Sequence, residues 1–529
     1  MRTARELMLT SQIEEEKGEH PAERILGNVT LKSEIRVRLL LFTLAGVGPT
    51  AGGAGFHRDE RGGSRLPIVV LSTYAVLIVT VHVPSPPGPQ SRGVFRPRLM
   101  TTYYAEGSPQ TDLSPQELRA TLVETFCRLE PRRKVLALPP DFTRLNSMAG
   151  HLTCLAHEYF GDRLVDIMPA LGTHVAMSAE QLHHMFPGVP KRLFRVHDWR
   201  RDVVTIGEVP AEFVAAATEG IYRKAWPTQL NRLVWEGGHD LILSIGQVVP
   251  HEVIGMANYN KNLFIGTGGQ AGINESHFIG AAYGMERMMG RADTPLRRIL
   301  NYAQEHFCRH LPVVFILTVI GPRRDGTLAV RGLFIGDEVE CFRRAAALSV
   351  EVNFTVLDEP LRKVVVYLDP EEFHSTWLGN KAIYRTRMAI ADAGELVVLA
   401  PGVATFGEDG EIDRLIRKYG YRTTPEIMHF VEQTPDLPKN LSAAAHLIHG
   451  SSEKRFTITY CPGKLSRKEI ESVGYQFADV DTMLRRYDPK LLRDGWNTLP
   501  DGERVYYISN PALGLWASRS RMAASDAKR

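Results

Sequence analysis

Apolar residues in this chain fall in short runs separated by longer amphipathic stretches. KVLALPP (134–140), LVDIMPALGTH (164–174), DLILSIGQVVP (240–250), VVFILTVIG, KVVVYLD, ELVVLAPG, FTITYC and VYYISN are rich in β-branched residues. Glycine, proline or aspartate bounds most of them, which is the pattern of buried strands. PLRRILNYAQEHF and EIDRLIRKYG carry helical periodicity between them. TDLSPQELRATLVETFCRL opens as a capped helix: Ser114 precedes Pro115, and Glu117 lies three residues after Ser114. A second helix is predicted from Ser178. Strands alternating with helices predict the α/β class with largely parallel sheets. The Met- and Arg-rich stretch YGMERMMGRADTPLRRIL marks a boundary, so we read two α/β domains, 100–305 and 306–529, with the active site in the cleft between them.

Residues 1–99 break the pattern. A charged start (Glu14-Glu15-Glu16-Lys17), a Gly-rich patch from Gly46 and a Pro/Arg-rich run surround LPIVVLSTYAVLIVTVHV, Leu66 to Val83. That run approaches the ~20 apolar residues that span a bilayer. It also carries Pro67, Thr73, Tyr74, Thr80 and His82, and its β-branched content suits a strand. We read 1–99 as a leader of little structure, with translation from Met100 or a signal anchor as its alternatives. No membrane segment is expected in 100–529.

Composition narrows the class. Of 529 residues, 44% are hydrophobic and 23% charged, ordinary for a globular protein. The net charge of +3 gives no footprint for nucleic acid. Five cysteines without a CxxC pair argue against a disulfide framework or a structural zinc, and fit a reducing cytoplasm.

The candidate chemistry follows three predicted strands. Asp141-Phe-Thr-Arg144 follows the first, and its arginine suits a carboxylate or phosphate. His174 closes ALGTH after the second, and His251 follows the third; imidazoles suit general acid–base work. Ligands of parallel sheets bind beyond the carboxyl ends of strands. Lys261 lies among small and apolar residues, where an amine pKa falls and covalent chemistry becomes available. GTGGQAG (266–272) resembles a phosphate-cradling loop, but it fits neither the GxGxxG nor the GK[ST] pattern. In STWLGNKAIYRTRMAI, residues 377, 381, 384 and 388 share one helical face, where Lys381 beside Trp377 suits an anion.

Together these pieces resemble the lactate racemase family, whose members use a nickel-pincer nucleotide. PPDFTR, ALGTH, PHEVIGMANYNK, His277 sixteen residues after Lys261, and GNKAIYRTRMAI occur in the family's order. The resemblance implies a pyridinium bisthiocarboxylic acid mononucleotide carrying nickel, tethered covalently at Lys261, with His277 as metal ligand. It implies His174 and His251 as alternating proton acceptor and donor, Arg144 with Asp141 on the substrate carboxylate, and Lys381 from the second domain. On this reading Trp377 also lines the substrate, and Thr143, Gly268 and Gly269 line the cofactor. The implied reaction is inversion at Cα of a 2-hydroxy acid, lactate-like or longer, in a cytoplasmic enzyme that depends on cofactor-maturation enzymes. A nicotinamide-dependent 2-hydroxyacid dehydrogenase and a non-catalytic nucleotide- or nickel-binding protein are the alternatives. Two departures stand out. Relatives often read Gly-Gly-x-Lys where this chain has Asn258-Tyr259-Asn260-Lys261, and Leu378 stands where the family's type member has a polar residue facing substrate.

Overall fold

The structure, a computed structural model, describes residues 101–527 apart from 324, 326 and 513, together with the backbone of four earlier strands. These are Arg24–Thr30, Arg36–Phe42, Arg65–Ser72 and Ala75–His82, in one antiparallel sheet. The apolar run from Leu66 thus covers two paired strands. The rest of 1–99, and with it the expectation of a leader, lies outside the described residues. Among the described residues no helix is long and apolar enough to cross a membrane. The chain divides into two compact units, Met1–Arg98 and Leu99–Arg529, and every candidate functional residue lies in the second.

The second unit holds two six-stranded sheets. The first comprises Thr102–Gly107 (β1), Val135–Leu138 (β2), Leu164–Ile167 (β3), Leu241–Gln247 (β4), Val313–Pro322 (β5) and Leu328–Gly336 (β6). Its order is β1-β6-β5-β4-β2-β3. The block β5-β4-β2-β3 is parallel, and β6 and β1 close one side antiparallel. All four residues of β2 are buried, as a parallel strand covered on both faces requires. Helix Pro115–Leu129 (α1) forms where predicted: Ser114 and Glu117 make the reciprocal capping box. It buries Leu118, Leu122 and Phe126 against the sheet and Ala149–Phe160 (α2), with the Phe126 and Phe160 rings 4.8 Å apart. Each such side chain contributes about 1.5–3 kcal/mol by burial.

The second sheet comprises Leu361–Tyr367 (β7), Ile390–Ala400 (β8), Thr457–Pro462 (β9), Gln476–Phe477 (β10), Gly495–Thr498 (β11) and Arg504–Ile508 (β12). Its order is β10-β9-β8-β7-β12-β11, parallel except for the β11–β12 edge. The α/β class with largely parallel sheets is as the periodicity predicted.

Two local expectations need correction. β5 and β6 belong to the first sheet, so the division between sheets falls after Gly336 and not at 305/306. The parallel register of β5 on β4 fixes this, because the helix Pro295–Phe307 leads into β5 and so into the same sheet. The segment 375–390 is also not one amphipathic helix. It is two short helices, Thr376–Gly379 and Lys381–Thr386, meeting at buried Asn380, with Met388 beyond the second. Its Arg385 and Arg387 are buried, so they form no solvated face.

Candidate active site

Sheet order brings the first three candidate loops together. β4, β2 and β3 are consecutive neighbours, so the loops at their carboxyl ends adjoin. The loop after β2 holds Asp141 and the short 3-10 helix Phe142–Ser147, the loop after β3 holds His174, and the loop after β4 holds His251.

Asp141 is buried, yet its side chain does not cap the helix it precedes. One carboxylate oxygen accepts from Thr143 Oγ1 at 2.5 Å, and the other lies 2.6 Å from His174 Nδ1. Burial would raise its pKa, but His174, Thr143 and Arg144 together hold it below the usual carboxylate range. An acceptor at Nδ1 places the imidazole proton there and leaves the Nε2 lone pair available. The His174 side chain is 57% exposed. Arg144 is half-buried; burial and the Arg385 charge lower its pKa, with Glu252 opposing. Thr143 is exposed, and its hydroxyl donates to Asp141.

His251 sits on a two-residue bridge, Pro250–His251 against Gly255–Met256. Gly255 takes φ +89°, and a Cβ there would lie 2.2 Å from Arg291 O, so this turn requires glycine. His251 is buried, and its Nδ1 accepts the Val253 N–H at 3.1 Å. Its proton therefore resides on Nε2. Burial holds this imidazole well below its ordinary range, Glu252 opposes, and Lys261, Arg144 and Arg385 add to the depression.

Lys261 precedes Asn262–Gly266, a π-helical turn. Asn262 ties that turn to the end of β2 and the middle of β4, donating to Leu138 O at 2.9 Å and Ser244 Oγ at 3.0 Å. Gly172 N–H donates to Gly266 O at 2.9 Å, which joins the His174 loop to the same turn. Lys261 has no hydrogen-bond or ion-pair partner among the described residues. Burial, with help from Arg144 and Arg297 and against Glu252 and Asp141, pushes its amine down to about 8.

The residues ahead of Lys261 answer the departure seen in the sequence. Asn258 and Tyr259 both take the left-handed conformation, φ 64° and 57°, that glycines favour. Buried Arg297 holds them there, donating to Asn258 O at 3.3 Å, Met256 O at 2.7 Å and Asn260 Oδ1. The Tyr259 ring stacks on Phe342 with centroids 5.1 Å apart.

His277 lies on Gln270–Tyr283 and donates Nδ1–H to Ile273 O at 2.7 Å. That bond leaves Nε2 as a ligand-competent lone pair, the usual preparation of a metal-binding histidine. Burial lowers its pKa against the Ile273 bond, with Lys261 and His174 adding and Glu252 opposing. Among the described residues no group of three His, Cys, Asp or Glu could hold a metal. Lys381 stands with Nζ 3.8 Å from Glu372 and over the Phe373 ring; burial lowers its pKa, Glu372 opposes, and Arg144 and Arg385 add. Trp377 packs on His446 at 4.3 Å. Gly268 and Gly269 have an internal reason to be glycine. A Cβ at Gly268 would lie 1.8 Å from Phe264 O, and one at Gly269 2.4 Å from Gln229 Oε1, so the chain itself fills that space.

Sequence reasoning gave no site role to four residues. Arg385 and Arg297 are buried charges and Glu252 a half-buried one around the same loops, and His449 is a buried histidine whose Nε2 lacks a partner. Burial pushes His449 down to about 4, with Glu252 opposing and His277 and Arg387 adding. Glu252, adjacent to His251, and Arg385, within GNKAIYRTRMAI, had a sequence signal.

The comparisons with known proteins bear on this geometry. Residues 124–288 match the family model of the lactate racemase N-terminal domain. This span carries Asp141, Arg144, His174, His251, Lys261 and His277, but not Trp377 or Lys381. No curated protein matches the chain. Among solved structures, a Thermotoga maritima protein from a structural genomics consortium is 22% identical with a TM-score of 0.66, covering 79% of this chain and 100% of its own. The lactate racemase apoprotein from Thermoanaerobacterium thermosaccharolyticum is 14% identical with a TM-score of 0.58, covering 78% of this chain and 94% of its own. Residues 124–288 are thus similar to the lactate racemase N-terminal domain, and the fold is similar to that of the lactate racemase apoprotein.

Proposed function

We propose that this protein inverts Cα of a 2-hydroxy acid by proton-coupled hydride transfer with a nickel-pincer nucleotide. Lys261 carries the reading: a half-buried amine with no partner among the described residues, lowered to about 8, in the field of Arg144 and itself acting on His251 and His277. The residues fit the group. Lys261 would hold it covalently, and His277 would give one ligand to a metal whose other ligands the nucleotide brings, which suits a site with no protein-built metal cluster among its described residues. Bound there, the nucleotide would supply the hydride acceptor and donor.

The chain's own residues do the rest. Arg144 holds the substrate carboxylate, and Lys381 adds positive charge. His174, its Nδ1–H fixed by Asp141, would take the substrate's hydroxyl proton at Nε2, and His251 would return a proton to the same oxygen from Nε2. Inversion needs one imidazole for each face, and a held carboxylate keeps both in reach. A nicotinamide-dependent dehydrogenase shares the clamp and a base, but GTGGQAG follows a π-helical turn and not a strand, and among the described residues no Gly-rich strand–helix turn is seen for its dinucleotide.

The test is mass spectrometry of protein co-produced with cofactor-maturation enzymes, followed by chiral analysis of a 2-hydroxyacid panel. A nickel-containing adduct on Lys261, lost in Lys261→Ala, and inversion of one panel member are expected. No adduct under those conditions overturns the reading.

A further inference from the structure

Resting on that reading, one problem remains at His251. Its neutral form carries the proton on Nε2 and accepts the Val253 N–H at Nδ1. Giving up Nε2–H from this form would leave an imidazolate. The donor must be the imidazolium, whose Nδ1–H then meets the Val253 N–H head-on, two donors with no acceptor between them. Nδ1–H needs a different partner.

Glu252 is placed to be that partner. Its Oε2 lies 3.8 Å from His251 Nδ1, is buried, and has no hydrogen bond. A buried carboxylate oxygen left unsatisfied is costly and calls for a donor. Arg385, from Lys381–Thr386, flanks the same oxygen with Nη2 at 3.8 Å, and its Nη1 donates to Pro250 O at 2.8 Å. The guanidinium thus grips the residue before His251 and the carboxylate after it. We infer that Glu252 is the positioning residue of His251: it accepts Nδ1–H of the imidazolium, as Asp141 accepts that of His174, and Arg385 holds it for that purpose. The imidazolium passes Nε2–H to the substrate oxygen and keeps Nδ1–H on Glu252.

The charged groups facing His251 are Glu252, Lys261, Arg144 and Arg385. On that reading two of the three cations would lose their effect: a tether that acylates Lys261 would remove its charge, and the substrate carboxylate would pair with Arg144. Glu252 and Arg385 remain.

The test uses cofactor-free full chain with histidine ring ¹⁵N labels, assigned through His251→Gln. As pH falls, wild-type His251 should gain Nδ1–H with a downfield proton resonance, because it bonds a carboxylate. In E252Q that resonance should disappear and protonation should need roughly one pH unit more acid, the scale of a lost opposite charge at this distance. E252D, folded by circular dichroism, should fall between. In loaded enzyme E252Q should lower kcat with little change in KM, since Glu252 touches no substrate group. An unchanged His251 titration in both variants, or no downfield Nδ1–H in wild type, overturns the inference. If instead wild type inverts no 2-hydroxy acid, the parent reading fails while the titration still judges Glu252.

Discussion

The two histidines stand in opposite surroundings. His174 is 57% exposed, hangs from a glycine turn, and already holds its carboxylate at 2.6 Å. His251 is 9% exposed, lies in a bridge that tolerates only glycine opposite it, and stands 3.8 Å from its carboxylate. One is prepared as a base; the other is neutral, with its proton on Nε2. The difference teaches that two like residues can alternate in one reaction while their surroundings set which nitrogen rests protonated. The His174 side is built locally, from residues 33 apart in sequence. The His251 side is built from afar, with Arg385 135 residues from the carbonyl it holds.

The largest effect should come from removing either imidazole. His174→Asn and His251→Asn should each reduce inversion by about 10²–10⁴-fold, the usual scale of a lost general acid or base. The fall must be equal in both directions, because the two enantiomers are equal in free energy. Asp141→Asn should cost less, about 10–100-fold, the worth of one charge-assisted hydrogen bond. Chiral chromatography from each pure enantiomer measures all three. Full activity in either histidine variant would dissolve the pairing.

The next test strikes the His251–Lys261 side alone. Arg297→Leu removes the donor to the Met256 and Asn258 carbonyls, and each orphaned buried acceptor costs about 1–3 kcal/mol. Urea unfolding should shift accordingly, and Lys261 adduct formation should fall with it. Tyr259→Gly should also be destabilising, despite its left-handed backbone, because the ring on Phe342 is lost. The His174–Asp141 pair shares no partner with Arg297 and should keep its hydrogen bond.

How much of this was legible follows the same division. The strands around Val135, Leu164 and Leu241 announced themselves as apolar runs, and the loops after them carried Asp141, His174 and His251 in plain view. Periodicity reports what faces the core of one element, so it read α1 and its cap correctly. It could not report that Arg297 is buried while its neighbour Arg298 pairs with exposed Asp293, because that depends on a loop some forty residues away. Nor could it show that Asn380 interrupts the Trp377–Met388 face, or that Gly268 and Gly269 are glycine for the chain's own packing.

Lys261 gives a sharper test of the buried side. An amine at about 8 is half neutral there, whereas an ordinary lysine reaches that point near ~10.4. The neutral amine is the nucleophile, so its fraction rises as pH rises through 8. Competitive acetylation read by mass spectrometry should place Lys261 about two pH units below the chain's surface lysines. In Arg144→Gln the midpoint should rise, because a nearby cation is gone. A midpoint near 10 in wild type would break the contrast with the exposed His174 side.

The smallest effect expected is at Asn258. Its left-handed φ costs a non-glycine residue roughly 1–2 kcal/mol, which Asn258→Gly would relieve. Two losses oppose this. The Asn258 side chain accepts the Tyr259 N–H at 2.7 Å, worth about 0.5–1.5 kcal/mol, and glycine adds about 0.5–1 kcal/mol of chain entropy to be lost on folding. The terms nearly cancel, so unfolding free energy should move by less than about 1 kcal/mol and adduct formation should persist. This near-zero is informative beside the damage expected from Arg297→Leu. It means that the loop before Lys261 keeps a glycine-like shape without glycine because the arginine, and not the residue at 258, supplies the hold. A large loss in Asn258→Gly would move that hold to the asparagine side chain.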